Sequence, residues 1–559
     1  MINFIIYYSE KTNIIIFLNH VILIMKSIKI CLMSFLIAFS FGACKSGDTD
    51  TPGNTDSNSI SVNLKGLKHI ATVDERYQSY NVEMVEVVGR EFWKPYHLMD
   101  SLPSLVTGST YDVSQKNNQM YRQLSPINLA DKRLMTLAKG LAPAYVRVSG
   151  TWANAIYFQD NDEPKTTKAP AGFVNVLTRS QWKGVLDFIK ATDSKLVTSF
   201  AVSNGVRNAE GVWTPKEAQK IAAYTKSQGA EIAAAELFNE PTMPTAGGEI
   251  NKNYNAKNFA EDIAAFNTWS KNAEPNTLVL GPGSVLEGLQ GVSLAEMGMT
   301  YLSTDAMMSA EPRPEFDVFS YHFYGAASMR MMRSGPFSIK AENALNASWL
   351  RKTGTVADYY IALRNKYNPG KPVWITETAE AAAGGDPFAA TYLDCFRYLY
   401  QLGSLAKKGV KVVMHNTLAA SEYSLIDQDT HLPKPNYWAA FLWAKLMGTE
   451  VYEAGSGAPG IYIFAHNLKG HEGGIALLVI NINIQSTSIS IPSNAEQYTL
   501  TSKEPQGKTV QLNGQDLKLD SNDELPALKG NSIKSGSITL PPTSISFFAI
   551  ADSGFKSSK

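Results

Sequence analysis

From about residue 77 to residue 448, short apolar runs alternate with longer amphipathic segments. This alternation is typical of parallel strands that are joined by helical crossovers. The predicted strands are 78–84, 144–150, 195–205, 233–240, 277–283, 316–325, 372–380 and 411–418. Eight strand–helix units favour a (β/α)8 TIM barrel. The alternative is a doubly wound open sheet, but no glycine-rich phosphate loop follows the first strand.

The pattern changes after residue 448. Short apolar runs separated by Gly, Asn, Ser and Pro predict a C-terminal antiparallel β-sandwich. Residues 60–76, before the barrel, contain a predicted lead-in strand that can join this sandwich. We therefore expect an α/β protein with a barrel domain over 77–448 and a sandwich domain over 449–553.

The N-terminus has the features of an export signal. Met25, which we take as the start, is followed by lysines, an apolar run and small residues before Cys44. Residues 1–44 thus resemble a bacterial lipoprotein signal in which Cys44 is acylated, with a plain cleaved signal or a membrane anchor as alternatives. Residues 45–59 are polar and predict a flexible tether. We expect a lipid anchor in the cell envelope, in the periplasm or on the outer-membrane surface.

The composition narrows the class of function. The 559 residues include 51 basic and 51 acidic side chains, a formal net charge of zero. This balance does not favour nucleic acid as a partner. The cysteines are Cys31, Cys44 and Cys395, and we expect Cys395 to be a small buried side chain. The histidines show no metal-ligand spacing, so we predict neither a metal nor an organic cofactor.

Polar and acidic residues fall at the C-terminal ends of the predicted strands, where TIM barrels carry their active sites. They are Glu83, Asn204, Asn239, Glu240, His322, Tyr324, Glu377, Glu380 and Asn416. Glu240 ends the fourth predicted strand, and Glu377 lies at the end of the seventh. Two carboxylates across a barrel mouth suit glycoside hydrolysis, in which one protonates the leaving oxygen and the other attacks the anomeric carbon or activates water. A helix cap or a loop salt bridge is the alternative role for each.

Several motifs carry a resemblance to a known family. ELFNEP (236–241) and WITET (374–378) resemble the retaining barrel glycosidases, whose acid/base lies in an Asn-Glu-Pro motif and whose nucleophile lies on strand seven. The segment ETAEAAAGGDPF (377–388) and the region 412–452 resemble glycoside hydrolase family 79, the heparanase and β-glucuronidase group. The similarity runs across most of the barrel and into the sandwich.

The resemblance implies a role for each matching residue. Glu240 would be the general acid/base, and Glu377 would be the nucleophile. Asn239 would meet the sugar 2-hydroxyl. The other implied contacts are His322 lining the site, Tyr324 bonding the nucleophile, Tyr423 and the amides near Ala383 and Gly384 holding a uronic acid carboxylate, and Asn416, Glu83 and Thr151 at sugar-contact positions. Packing or loop-tying roles are the alternatives.

The expected function is therefore retaining hydrolysis of β-linked glucuronic acid, or 4-O-methylglucuronic acid, from a polysaccharide or glycan. The long basic insert that heparanase carries after the third strand is missing, and only Arg207 and Lys216 are nearby. Sulfates demand paired charge, so this argues against heparan sulfate as the substrate. Two alternatives remain open, a barrel glycosidase on a neutral glycan and a non-catalytic polysaccharide-binding surface lipoprotein.

Overall fold

The structure, a computed structural model, describes residues 60–99, 101–102, 120–292, 300–455 and 457–555. The predicted leader, Cys44 and the tether lie outside these ranges. The described residues belong to one compact unit. Within them, every helix is too short or too polar to cross a bilayer.

Parallel strands form a closed barrel at the centre of the molecule. In chain order they are β1 (Gln78–Glu83), β2 (Ala144–Ser149), β3 (Ser194–Ser199), β4 (Ile232–Glu236), β5 (Leu278–Ser284), β6 (Val318–Tyr324), β7 (Val373–Ala379) and β8 (Val412–His415). β8 pairs with β1, with Val413 opposite Gln78, and this pairing closes the barrel. The predicted TIM barrel is thus confirmed, and the open sheet is excluded.

Helices surround the barrel. Their bounds are Met84–Val88, Lys132–Gly140, Arg179–Ala191, Lys216–Ser227, Ala256–Ala273, Thr304–Ser309, Ala347–Tyr367, Tyr392–Lys407 and Pro435–Leu446. The helix after β2 shows how the sequence sets such an element. Thr178 and Gln181 form a capping box at its start, which satisfies amides that have no helical partner. Its apolar stripe then buries Trp182, Val185 and Ile189 against the barrel.

The C-terminal strands form two facing sheets. The larger contains Lys68–Thr72, Met447–Glu453, Ile461–Leu468, Ile475–Asn481, Ser544–Ile550, Ala495–Thr501, Gln511–Leu512, Gln515–Asp516 and Asn531–Ile533. The smaller contains Ile60–Ser61, Thr487–Ile491 and Gly536–Leu540. Pairing is antiparallel except that Ile60–Ser61 runs parallel to its neighbour. Residues before the barrel thus supply strands to both sheets of the sandwich.

The larger sheet packs on the last helices of the barrel. Phe464 lies so close to Gly403 that a Cβ there would come within 2.3 Å of its ring, so glycine is required at this contact. Tyr392 donates a hydrogen bond to the Leu500 carbonyl at 2.7 Å. These contacts join barrel and sandwich into one continuous apolar core. Cys395 is buried in it as a free thiol, as expected.

Two predicted strands run four or more residues past the ends of the observed ones. β3 ends at Ser199 rather than at 205, and β4 ends at Glu236 rather than at Glu240. Beyond the ladder, the Asn239 amide donates instead to the Asn154 side chain, in the helical turn after β2, at 3.0 Å. Glu240 then adopts φ of 54°, a left-handed conformation that no strand contains. The prediction that Glu240 ends a strand was therefore wrong.

Candidate active site

A pocket opens at the C-terminal ends of the barrel strands. It encloses about 870 Å³ of space, with its open mouth included. Among the predicted site residues, those that line it are Glu83, Thr151, Glu240, Tyr324, Glu377, Ala383, Asn416 and Tyr423. The remaining lining is largely apolar and includes Trp93, Trp152, Met243, Leu286 and Phe337. The barrel thus gathers the predicted residues around one cavity.

Glu240 and Glu377 face each other across the pocket floor. One carboxylate oxygen of each, together with a ring nitrogen of His322, lies within 4.8 Å of the others. His322 Nδ1 lies 3.1 Å from Glu240 and 3.8 Å from Glu377. The nearest carboxylate oxygens therefore lie within 4.8 Å of each other, whereas a water between two carboxyl groups needs a separation of roughly 6.5–9.5 Å.

Glu377 is fixed at both oxygens. The Tyr324 hydroxyl donates to Oε1 at 2.6 Å, and Arg147 Nη1 donates to Oε2 at 2.9 Å. The side chain lies at the end of β7 and is largely buried, yet it still lines the cavity. A carboxylate that accepts two such bonds is held in one orientation.

Arg147, on β2, is a site residue that the sequence analysis missed. It is fully buried and donates to Glu236 Oε2, at 2.9 Å from Nη2, and to Asn239 Oδ1 at 2.7 Å, as well as to Glu377. Glu236 in turn accepts from the hydroxyls of Thr376 and Ser320. A charged residue inside a barrel strand was the available signal, since an arginine in such an apolar run must find buried carboxylates.

The two glutamates lie in different electrostatic environments. Burial raises the pKa of Glu240 to about 7, and Arg147 opposes this rise. Glu377 instead shares a direct ion pair with Arg147. Burial lowers the pKa of His322 to about 4, so its ring is neutral near pH 7. Glu240 is therefore the one of the two carboxyl groups whose burial favours the protonated form near pH 7.

A second network adjoins the first one at the Tyr324 hydroxyl. The Asn416 side-chain nitrogen lies 3.1 Å from Glu83, 3.0 Å from the Tyr324 hydroxyl and 3.1 Å from the Tyr423 hydroxyl, and its two protons are shared among these three acceptors. Burial, followed by the charge of Glu377, raises the pKa of Glu83 well above its usual range. One amide thus connects residues from β1, β6 and the loop after β8.

Several buried polar atoms of the site have no partner among the described residues. They are Glu83 Oε2, Asn239 Nδ2 and Asn416 Oδ1. Such atoms cost free energy unless a ligand or water satisfies them. Of the three residues, Glu83 and Asn416 line the pocket, so a polar ligand bound there could satisfy their free oxygens.

The loop after β7 is held in a left-handed conformation. Ala383, Gly384 and Gly385 have φ values of 64°, 86° and 76°. Arg330 fixes this loop by donating to the Gly385 carbonyl at 2.7 Å and to the Ala383 carbonyl at 3.2 Å. The carbonyls are thereby turned toward Arg330, and the amides of Ala383 and Gly384 find no acceptor among the described groups. Free backbone amides in a turn of this kind are able to bind an anion, and the amides of Ala383 and Gly384 are called the amide nest below.

Some of the predicted residues do not reach the cavity. His322 contacts both glutamates but is fully buried beneath the floor, as is Asn239. Gly384 packs against Trp93 and Arg330 behind the wall.

Two residues predicted at the mouth lie elsewhere. Asn204 is exposed in a short helical turn, because β3 ends five residues before it. Glu380 points away from the pocket and accepts from the Asp386 amide at 2.9 Å. The expectation that these two side chains lie at the barrel mouth was wrong.

Glu240, His322 and Glu377 also have the composition of a metal site. However, Arg147 donates to the Glu377 oxygen that faces His322, and its guanidinium lies 3.3 Å from the imidazole. A fixed cation at this position opposes the binding of a divalent ion. The arrangement of Glu240, His322 and Glu377 therefore disfavours a divalent ion.

Comparisons with known proteins agree with this geometry. The family model described as glycosyl hydrolase family 79, N-terminal domain, matches residues 116–403. Heparanase from Bos taurus is 28% identical over 486 residues, which cover 76% of this chain and 84% of that protein. Hyaluronoglucuronidase from Hirudo nipponia is 26% identical over 477 residues, which cover 78% and 92%.

A solved structure shares the fold. It is a 4-O-α-L-rhamnosyl-β-D-glucuronidase from Fusarium oxysporum, with a TM-score of 0.57 and 14% identity. The superposition covers 88% of this chain and 100% of that one. At this low identity, the likeness shows only that the two proteins share the architecture of a barrel and a sandwich.

Proposed function

This chain belongs to glycosyl hydrolase family 79 and is a glycoside hydrolase, and from that premise we propose that it releases β-linked glucuronic acid, or 4-O-methylglucuronic acid, from a glycan with retention of configuration. The observation that carries the proposal is the pair of carboxylates, Glu240 and Glu377, within 4.8 Å of each other. This separation is close to the roughly 5–5.5 Å of retaining enzymes and well short of the inverting spacing.

The proposed reaction is a double displacement. Glu377, held by Tyr324 and Arg147, attacks the anomeric carbon, while protonated Glu240 gives its proton to the leaving oxygen. Glu240 then removes a proton from water, and the water displaces Glu377 from the sugar. His322 keeps Glu240 in position without becoming charged.

A uronic acid accounts for the other polar groups of the pocket. The Ala383 and Gly384 amides and the Tyr423 hydroxyl would donate to its carboxylate, and Glu83 and Asn416 would meet sugar hydroxyls. The matched relatives include proteins that are named as heparanase and hyaluronoglucuronidase, both of which support a glucuronate-type substrate. A neutral sugar would leave the amide nest of this loop unused.

A panel of p-nitrophenyl β-D-glycosides tests this proposal. We expect phenol release from the glucuronide and little from the glucoside, galactoside or xyloside. Preference for a neutral glycoside would support the alternative barrel glycosidase. No turnover of any glycoside, with intact folding, would support the polysaccharide-binding lipoprotein.

The pKa of Glu240 predicts the pH at which activity declines on the alkaline side. Because the acid must be protonated, kcat/KM should fall as pH rises through about 7, the pKa that burial gives Glu240. The measurement is the pH dependence of kcat/KM for p-nitrophenyl β-D-glucuronide in the wild type and in Glu240→Ala. The variant should lose the limb near pH 7. A limb that persists unchanged in the variant would contradict the assignment.

Arg330 holds the loop after β7, so replacing it should change the enzyme's preference among sugars. Arg330→Met should free the Ala383 and Gly385 carbonyls and disorder the amide nest, and this should lower kcat/KM for the glucuronide by about tenfold to a hundredfold, the worth of a charged hydrogen bond. The readout is the ratio of kcat/KM for p-nitrophenyl β-D-glucuronide to that for the glucoside. If Arg330 positions the loop, this ratio should fall sharply. A general loss of structure should instead lower kcat/KM for the glucuronide and for the glucoside together.

The lipid anchor stays a proposal that rests on the sequence before Cys44. Expression with labelled palmitate should give a labelled wild-type chain and an unlabelled Cys44→Ser variant. Equal labelling of both chains, or of neither, would overturn the anchor.

A further inference from the structure

The pocket wall beside Glu240 is apolar. It is formed by Met243, Ala246, Val285 and Leu286. Met243 and Leu286 are only partly buried and pack on the cluster around Val285. The charged side chains that line the pocket, within the described residues, are Glu83, Glu240 and Glu377, all of them acidic. This wall therefore offers apolar contact and no counter-charge for an anion.

The same wall faces the leaving group of the proposed reaction. Glu240 must lie beside the leaving oxygen in order to protonate it. The Met243 amide donates to the Glu240 carbonyl at 2.9 Å, so Met243 lies in the turn that Glu240 begins. Val285 is tied to this turn because its amide donates to the Thr242 hydroxyl at 3.2 Å. Met243 and Leu286 thus border the space beyond the leaving oxygen.

Leu286 occupies this place at the expense of backbone strain. Its φ is 62°, a conformation that a bulky side chain rarely adopts. The next residue holds it there, since the buried Glu287 carboxylate accepts from the Tyr301 hydroxyl at 2.7 Å and from the Thr304 amide at 3.0 Å. Strain that the surroundings impose in this way is characteristic of ligand sites.

We propose that Met243 and Leu286 form the leaving-group subsite and select an uncharged aglycone with an apolar face, such as an aromatic ring. The inference rests on the proposed function, because it takes Glu240 as the acid. Sulfated or carboxylated leaving groups are rejected because they would meet apolar side chains and carboxylates instead of cations.

The test compares leaving groups that do and do not fill this subsite. The substrates are p-nitrophenyl β-D-glucuronide, β-D-glucuronyl fluoride and glucuronosyl disaccharides with and without a sulfate on the reducing sugar. The variants are Leu286→Asn, since asparagine tolerates the left-handed backbone, and Met243→Gln. Ile484→Asn, at an exposed site on the sandwich, is the matched control.

We expect both variants to lower kcat/KM for the aryl glucuronide by about tenfold or more, while the fluoride changes less than about twofold. The control should leave both values unchanged, and the wild type should cleave the aryl substrate in preference to the sulfated disaccharide. Equal losses on aryl glucuronide and fluoride, no loss on either, or preference for the sulfated disaccharide would overturn the inference alone. A wild type that cleaves neither glucuronide would overturn the proposed function and this inference with it.

Discussion

Replacement of Glu377 with alanine should lower kcat/KM for a β-glucuronide by about 10⁴-fold or more, because no other group can attack the anomeric carbon from this position. Its two anchors, Tyr324 and Arg147, would then face an empty site. The measurement is phenol release from p-nitrophenyl β-D-glucuronide. The thermal midpoint of the variant, compared with the wild type, separates lost chemistry from lost folding.

Azide distinguishes the two glutamates from each other. In Glu377→Ala, azide can enter from the vacated face and should give the α-glucuronyl azide. In Glu240→Ala, a good leaving group still forms the glycosyl-enzyme, and azide should then give the β-glucuronyl azide. The reverse pairing of products and variants would exchange the two roles, and no rescue of either would contradict the double displacement.

Replacement of Arg147 should have the second large effect, on both stability and activity. Arg147→Met removes the partner of Glu236 and Glu377 at once, and it leaves two carboxylates buried without a cation. Loss of one partner from a buried pair costs about 3–5 kcal/mol, so we expect a decrease of that order in the free energy of unfolding. Activity should fall as well, because Glu377 loses the donor to Oε2.

A second buried arginine provides the control. Arg207 pairs with Asp262 at 3.0 Å outside the pocket and stacks on Tyr254. Arg207→Met should destabilise the protein while its kcat/KM stays near the wild-type value at a temperature where it is folded. The stability of both variants is measured by urea unfolding, and their kcat/KM is measured separately. If the two variants lose equal stability and also have equal activity, Arg147 has no catalytic role.

The fold was largely predictable from the sequence because apolar residues are spaced differently along strands and along helices. β7 and β8 follow their predicted runs within three residues at each end, since a barrel strand must be apolar over its whole buried length. The ends of β3 and β4 were not predictable. Residues 238–240 (FNE) directly follow an apolar run, so the pattern does not mark where β4 ends. The Asn154 side chain, which binds the Asn239 amide beyond that end, is distant in sequence.

The site was predictable where a motif marked it. The two glutamates, Tyr324 and Tyr423 fall within motifs and do meet in one pocket, although their roles stay predictions. Arg147 was missed because a single arginine in a strand gives no spacing to interpret. Arg330 and Leu286 were missed because their placement follows from backbone conformation, which apolar patterning does not encode.

The most direct measurement is to trap the covalent intermediate with 2-deoxy-2-fluoro-β-D-glucuronyl fluoride and to locate the adduct by peptide mass spectrometry. The fluorine at C2 destabilises the oxocarbenium-like transition state, and the fluoride leaving group lets the first step outrun the second. We predict time-dependent inactivation, with one fluoroglucuronyl group on the peptide that contains Glu377. An adduct on Glu240, or complete resistance of an enzyme that still hydrolyses glucuronides, would contradict the account.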